Sequence, residues 1–489
     1  MSKSIVDRFL AIFGSNAIGV LASLLATPVI VRLLGSRRYG EYAFMLSVLS
    51  ILLLFVNAGI YDGIRKFLKE SDRPERWADH VFSFYSRVGI ALSVAIVAAI
   101  AVTVQTGVLA RHLGPRFERY FLLIGATVVT QQAFASLRSA LMGFDREDIS
   151  EMLFVVNKLL AVGLGLALVV LGYGVSGLIA AKLAANTVTT LAGGVATARF
   201  IDYRYLLTLA PDDFPRGRLL RFNLASIVLF GLFLSIKHVD ILLLQFLRGS
   251  AATGYYKAAL NLAEFVWFVP RIVQTTLLHS TSELWSEERY DAITEISTKV
   301  TRYSLLFTAL LVIGLGTLAE PTVRLYYGAE FQPSVLPLVV LLPGAMGFAV
   351  ARPILAIGQG KGEFRYLIYA TGGASVINLV LNLTLIPVFG ILGAAVATTV
   401  GYFSMFLFHV YSARHIGFDP LADLRLPNIV ATMALATVGI VVLATAIQSI
   451  PLTFLVVPAA GFLLYVGVAV AVGAVSVEEM RELREQVPV

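Results

Sequence analysis

The chain has no cysteine among its 489 residues, so disulfides and thiolate metal sites are excluded. Charge is scarce too: Asp, Glu, Lys and Arg make up 14% of the chain against 58% hydrophobic residues, with a mean hydropathy of +0.82. That is too little polar surface to cover a soluble globule of this length. The six histidines are scattered, and no metal box, nucleophile elbow or phosphate-binding glycine loop is present, so neither a metal site nor a bound cofactor is expected. No segment between the apolar runs is long enough to make a soluble domain, which argues against a catalytic domain hung from a membrane anchor.

What is there is apolar and periodic. On the measure of about 20 residues per membrane span, the chain reads as an all-α polytopic membrane protein with about fourteen transmembrane helices. They fall at 8–31, 39–61, 81–105, 117–142, 150–171, 175–198, 219–246, 254–280, 301–320, 334–358, 364–388, 390–412, 427–448 and 452–474. The N-terminus, MSKSIVDRFLAIFGSN, has no small-residue cleavage site and reads as the start of the first helix.

The net charge of +7 is spread in short basic runs, as expected of topology signals beside lipid headgroups and not of a nucleic-acid surface. Most Lys and Arg follow even-numbered spans, among them Arg65, Lys66, Lys69, Arg216 and Arg218. Connections after odd-numbered spans hold Arg32, Arg37, Arg38, Arg111, Arg116, Arg119, Arg248 and Arg324. The first set is assigned to the cytoplasm, which puts both termini there and predicts a charged helix or disordered end at VEEMRELREQ.

The chain also repeats itself. LLGSRRYGEYA returns as LRGSAATGYYK, with Gly35, Ser36, Gly40 and Tyr42 matching Gly249, Ser250, Gly254 and Tyr256. YGVSGLIAA returns as FGILGAAVA, pairing Gly174 and Gly177 with Gly390 and Gly393. Between these anchors Arg87 falls against Arg302 and Arg138 against Arg352. Each repeat holds six spans, an even number, so both copies enter the membrane from the same side as a parallel repeat with a site at the interface. The expected organisation is an N-terminal lobe over 1–210, a C-terminal lobe over 211–426, and two further helices with a tail over 427–489.

Charges at bilayer depth are costly and suggest a substrate or ion pathway. On the eighth span Lys257, Asn261, Glu264, Phe268, Arg271 and Gln274 or Thr275 recur at helical spacing, and Lys257 to Arg271 covers about 21 Å. Pro270 should loosen this helix. A companion face on the seventh span carries Asn223, Ser226, Phe230, Phe233, Lys237 and Asp240, where Lys237 and Asp240 are close enough in sequence to pair. The duplicate provides a control. Lys237, Asp240, Lys257, Asn261, Glu264 and Arg271 lie opposite Ser23, Ala26, Ala43, Ser47, Ser50 and Asn57, none of them charged. Groups needed for shape should recur in both copies, whereas groups needed for a substrate can occur in one. By that test the Arg87/Arg302 and Arg138/Arg352 pairs read as snorkelling or structural. Lys237, Lys257 and Arg271, with positive potential added by Arg138, Lys158, Lys182 and Arg352, point to an anion. Phosphate or diphosphate is the natural candidate. Asn378 and Asn382 read as helix-to-helix hydrogen bonders, and Asp62 as an interfacial acid with cation binding as the alternative.

VDILLLQFLRGSAATGYYKAA, NLVLNLTLIPVFGILGAAVATT and the two six-span lobes with two extra spans resemble the multidrug/oligosaccharidyl-lipid/polysaccharide (MOP) exporter superfamily, in its prokaryotic polysaccharide-transporter (Wzx-like flippase) branch. The resemblance implies a MATE-like V of two bundles and alternating access. It implies a lipid-linked oligosaccharide, on a polyprenyl or dolichyl phosphate or diphosphate, carried from the cytoplasmic to the outer leaflet of the plasma membrane. Lys237, Lys257, Asn261, Arg271, Asn57, Arg138, Lys182 and Arg352 would then be substrate-binding, and Asp240, Glu264 and Asp62 gating or coupling residues. Na⁺ or H⁺ would be the coupling ions, the partners would be membrane lipids and the anionic substrate, and a monomer would suffice. The rival readings are a cation-coupled multidrug extruder of the same superfamily and a polytopic glycosyltransferase or polymerase.

Overall fold

The computed structural model describes residues 2–57, 59–70, 74–476 and 478–479, with side chains throughout except at 2–21, 223–226, 229, 275–276 and 279. The side chains of Asn223, Ser226 and Thr275, and the tail beyond Glu479, therefore lie outside the described residues. The rest is helical, with no strand among the described residues. In chain order the helices are α1 (Ser2–Asn57), α2 (Ile60–Leu68), α3 (Trp77–Gln105), α4 (Val108–Leu113), α5 (Pro115–Gly143), α6 (Glu147–Val170), α7 (Gly174–Thr197) and α8 (Arg216–Glu264). They continue with α9 (Phe268–Ser286), α10 (Tyr290–Thr317), α11 (Ala319–Tyr326), α12 (Val335–Lys361), α13 (Phe364–Phe389), α14 (Ile391–Ile416), α15 (Leu426–Ala446) and α16 (Ile450–Ala471).

Among the described residues twelve helices are long and apolar enough to cross a membrane, and the two longest, Ala22–Leu68 and Phe230–Gln274, each run over parts of two of the fourteen expected spans. The difference lies at the two repeated Gly-Ser turns. There α1 and α8 run on as helix, leaving helical geometry only at Gly35 (φ 70°, ψ 173°) and Gly249 (φ 81°, ψ 177°). A residue without Cβ can turn the axis at positive φ, so no loop is needed where the sequence suggests one. Large side chains such as Leu455, Leu463 and Val438, 71%, 70% and 65% exposed, leave the outer surface apolar, and the chain is a multi-pass membrane protein.

The chain divides into two compact units, Met1–Leu234 with Arg248–Gly254, and Ser235–Leu247 with Tyr255–Val489. In the first unit a core of Phe67, Trp77, Val81, Tyr85, Leu137 and Phe214 gathers α2, α3 and α5. It is pinned by Trp77 Nε1 donating to the Phe67 carbonyl at 2.8 Å. At that same end Lys69 meets Asp145 at 2.6 Å and Arg218 meets Glu70 at 2.6 Å, so connections after even-numbered spans are drawn together. The second unit has a core of Leu306, Ile313, Ile429, Ile440, Val457 and Tyr465 between α10, α15 and α16, with Tyr465 Oη donating to the Leu306 carbonyl at 2.8 Å.

The repeated turns also meet each other inside the first unit. A Cβ on Gly40 would fall on the Ser250 carbonyl oxygen and 2.7 Å from the Gly254 nitrogen; a Cβ on Gly254 would fall on the Ser36 carbonyl oxygen. Two copies of one motif thus cross backbone to backbone, as small-residue spacings permit in membranes. Gly40→Ala should cost about 1–3 kcal/mol, because backbone must move and no side chain can yield. A thermal melt of the purified variant checks it, and an unchanged midpoint would mean the crossing is loose.

Arg87 and Arg302, equivalent in the repeat, are both structural but held differently. Arg87 donates from Nε to the Ser83 carbonyl at 3.3 Å and also to the Thr208 carbonyl. Arg302 does not snorkel. It is 1% exposed and bridges Asp423, at 3.2 Å, and Glu479.

Candidate functional site

The charged seam falls in the second unit, and its local structure follows from proline. Pro270 has no N–H to offer the carbonyl four residues back, and the helix tightens to a 3-10 turn at Phe265–Trp267 between α8 and α9. That turn carries Trp267. Its indole donates to the Ala345 carbonyl at 3.0 Å and its ring packs on Phe348, with centroids 4.4 Å apart.

Two cations share this ring. Lys237 Nζ lies 5.0 Å and the Arg352 guanidinium carbon 5.7 Å from its centroid, within cation–π range. Arg352 also sits over Phe348 at 5.1 Å and donates to Gln274 Oε1 at 2.7 Å. Glu264 attracts both cations, Arg271 repels both, and Lys257 repels Lys237, yet none of these five charges forms an ion pair among the described residues. Lys237, Glu264, Arg271 and Arg352 are therefore brought together as a cluster with more cations than carboxylates. Asn261 belongs to the same unit, half-buried.

The pairing of Lys237 with Asp240 is not made. Asp240 is fully buried and takes only neutral donors: Tyr256 Oη, Thr398 Oγ1 at 3.2 Å and the Ile241 N–H at 2.7 Å. A carboxylate shared among fixed local donors has no need to reach three residues back, and Lys257 acts on it only through space. The network continues along α13 and α14. Asn378 Nδ2 donates to the Ala397 carbonyl at 3.3 Å and to Thr398 Oγ1 at 3.4 Å, and Asn382 Nδ2 to the Asn378 carbonyl at 2.9 Å. The Oδ1 atoms of Asn378 and Asn382 are buried with no donor. At the offset that pairs Gly174 with Gly390, Lys182 stands opposite Thr398, so the first copy has a cation where the second has a carboxylate's partner.

The other candidates lie in the first unit. Arg138 is held by Glu151 at 3.0 Å, by the Ser150 carbonyl at 3.2 Å and over Phe154 at 4.5 Å, and so ties α5 to α6. Lys182 lies within electrostatic reach of Lys158. Asn57 has a buried Oδ1 without a partner, and Asp62 sits in the first turn of α2 beside Arg65. Among the described residues no group of three His, Asp or Glu gathers as a metal site.

Sequence reasoning did not single out Trp267, and it noted Tyr256 only as part of a repeated motif and Thr398 only within the stretch that carries the family resemblance. The signal for Tyr256 was present: it is a repeated tyrosine whose partner Asp240 occurs in one copy only. Nothing in one dimension marks Trp267 as the ring that two cations share.

The chain's fold is similar to that of solved transport proteins. It matches the lipid II flippase MurJ in its inward closed conformation with a TM-score of 0.76 at 14% identity, over 95% of this chain and 98% of that one. An inward-facing multidrug resistance MATE family transporter of the MOP superfamily matches with a TM-score of 0.63 at 17% identity, over 83% and 98%. Among curated proteins, a Haloferax volcanii protein described as a probable low-salt glycan biosynthesis flippase, Agl15, is 24% identical over 409 residues, 82% of this chain and 81% of the relative. The lipid II flippase MurJ of Bacillus subtilis is 28% identical over 148 residues, 29% of this chain and 27% of the relative. The family model described as polysaccharide biosynthesis protein matches residues 29–336, well over half of the chain, and the chain belongs to that family.

Proposed function

We propose that this protein is a flippase that moves an oligosaccharide linked to a lipid phosphate or diphosphate across the plasma membrane, from the cytoplasmic to the outer leaflet, for surface glycan or polysaccharide synthesis. The observation that carries the reading is the cationic cluster around Trp267, which forms no ion pair among the described residues and in which Lys237 and Arg271 are charged in one copy of the repeat only. Family membership and relatives named as flippases support it. Lys237, Arg271 and Arg352 would meet the phosphate oxygens, with Lys257 and Asn261 of the same unit adding contacts to phosphate or sugar. Arg138 is committed to Glu151 and serves shape. Both termini would be cytoplasmic, and one chain would suffice. Relatives named as flippases and transporters favour transport over a glycosyltransferase or polymerase reaction.

Asp240 is the coupling residue in this account. A proton would neutralise its uncompensated charge; so would Na⁺, met by oxygens alone, from the Asp240 carboxylate, Thr398 and the free amide oxygens of Asn378 and Asn382. Glu264, between Lys237 and Arg352, would act as a gate, and Asp62 as a secondary one. Asp240→Asn should remove dependence of transport on a Na⁺ or H⁺ gradient while leaving substrate binding within about threefold, since the amide oxygen can still accept from the Ile241 N–H and the NH2 can donate to the Tyr256 and Thr398 hydroxyls, without the charge. An Asn variant that remains gradient-driven would clear Asp240 of this role.

The function is tested in liposomes loaded with lipid-linked oligosaccharides, by scoring glycan accessibility to an external glycosidase or lectin. Protein-dependent exposure is expected. Its absence with every lipid-linked donor, alongside cation-driven dye efflux, would instead favour the multidrug reading.

A further inference from the structure

The first unit contains a second cationic site, remote in sequence from the charges around Trp267. Arg38 from α1, Arg116 and Arg119 from α5, and Tyr173 and Ser176 at the α6–α7 turn line a cavity of about 470 Å³. That volume is within the ~300–1,000 Å³ of small-ligand pockets. The Arg38 guanidinium reaches the far wall, where a Cβ on Gly174 would lie 3.7 Å from its Nη1. Among the described residues Arg38, Arg116 and Arg119 form no ion pair and no hydrogen bond, although Lys69, Arg76, Arg146 and Arg218 of the same unit all face carboxylates. The one buried carboxylate nearby is already engaged: Glu41 accepts from Tyr120 Oη at 3.0 Å and lies 3.9 Å from Arg37.

Topology does not account for these arginines. They sit in connections after odd-numbered spans, where the positive-inside tendency selects against Lys and Arg. Shape does not account for them either. Gly114 and Phe117, which flank Arg116, recur as Gly328 and Phe331: the glycines have φ 106° and 101°, and both phenylalanines are buried. At this shared turn Arg38, Arg116 and Arg119 are matched by Ala252, Glu330 and Pro333, the first copy opening as α-helix at Pro115 and the second as a 3-10 helix over Ala329–Ser334. The glycine turn and the buried phenylalanine of the repeat are kept, and its charge is lost or reversed. Tyr173, 64% exposed on the rim, is the kind of residue that sits at headgroup level.

From this we infer that the cavity lined by Arg38, Arg116 and Arg119 is a binding site for a phosphate ester or diphosphate, at the end of the first unit assigned away from the cytoplasm. Three exposed guanidiniums lining one cavity suit the several oxygens of such a group. A role in receiving the phosphate of a translocated substrate rests on the flippase reading; the binding does not.

The test titrates the purified full chain with inorganic diphosphate at constant ionic strength. It compares R116Q/R119Q with R111Q/R324Q, which removes the same charge from exposed arginines outside the cavity. Saturable binding, weakened about tenfold or more by the first pair and unchanged within about twofold by the second, is expected. Unchanged melting temperatures exclude misfolding as the cause. Competition then separates the sources: displacement of diphosphate by phosphatidic acid and not by phosphatidylcholine assigns the site to a lipid headgroup, and resistance to both assigns it to a soluble phosphate. No saturable binding, or equal loss in both double variants, would overturn the proposal. Loss of binding in R116Q/R119Q with transport intact would separate this site from the transport reading.

Discussion

Replacing Lys237 and Arg352 together with glutamine should abolish translocation of a lipid-linked oligosaccharide, with each single replacement costing about tenfold or more. The two cations lie against the same Trp267 ring and are drawn by the same Glu264, so each compensates in part for the loss of the other. A hydrogen bond to a charged group contributes about 1.5–3 kcal/mol, and two lost together should exceed ~100-fold if both meet the phosphate. Non-additivity is expected, because the two groups share partners. Initial rates in liposomes measure it. A double variant that transports at the wild-type rate would remove the cluster from the substrate pathway.

Arg302→Met should destabilise the second unit by about 3 kcal/mol. Removing one partner of a buried ion pair leaves the other charge uncompensated, and the effect is at the low end of the ~3–5 kcal/mol range because Asp423 is exposed. Arg87→Met, at the equivalent position, gives up only bonds to carbonyls and should cost about 1 kcal/mol. The pH dependence separates the two. Burial pushes the Glu479 carboxyl up, but the Ser476 N–H and the Arg302 and Arg425 guanidiniums outweigh it, leaving the group below its ordinary value of 4.5. A carboxyl lowered in the folded state stabilises above its unfolded value and loses that contribution as pH falls through the folded one. Wild-type melting temperature should therefore drop as pH falls below ~4.5, and Arg302→Met should flatten that limb. An acid limb of unchanged steepness in Arg302→Met would mean that Glu479 is held by something else.

Helix positions were legible in the sequence because apolar length and short charged connections suffice to place them. The observed bounds of α3, α5, α6, α7 and α13 to α16 fall within a few residues of expectation. At Gly35 and Gly249 two expected spans join through one residue: a Gly-Ser pair flanked by arginine or polar residues looks like a loop, and only three dimensions reveal that a single glycine makes the turn. The duplication was legible as spacing, whereas the crossing of Gly40 on Gly254 was not, since it depends on how the two turns meet. The charges of the candidate site were visible as an imbalance between copies. Their partners were not. Lys237 turned to Trp267 and Asp240 to Tyr256 and Thr398, which lie 16 and 158 residues away in the chain. Long-range side-chain choices of this kind are settled by packing, not by helical spacing.

The central claim is that the protein carries an anionic lipid-linked headgroup on the cations of its second unit. The most direct measurement reconstitutes it in liposomes with one oligosaccharide on two carriers, a polyprenyl diphosphate and an uncharged lipid, and follows exposure to an external lectin. The account predicts that the diphosphate-linked glycan is exposed and the uncharged one is not, and that this preference disappears in the Lys237/Arg352 double variant. Equal exposure of both glycans, or a preference untouched by the double variant, would contradict it.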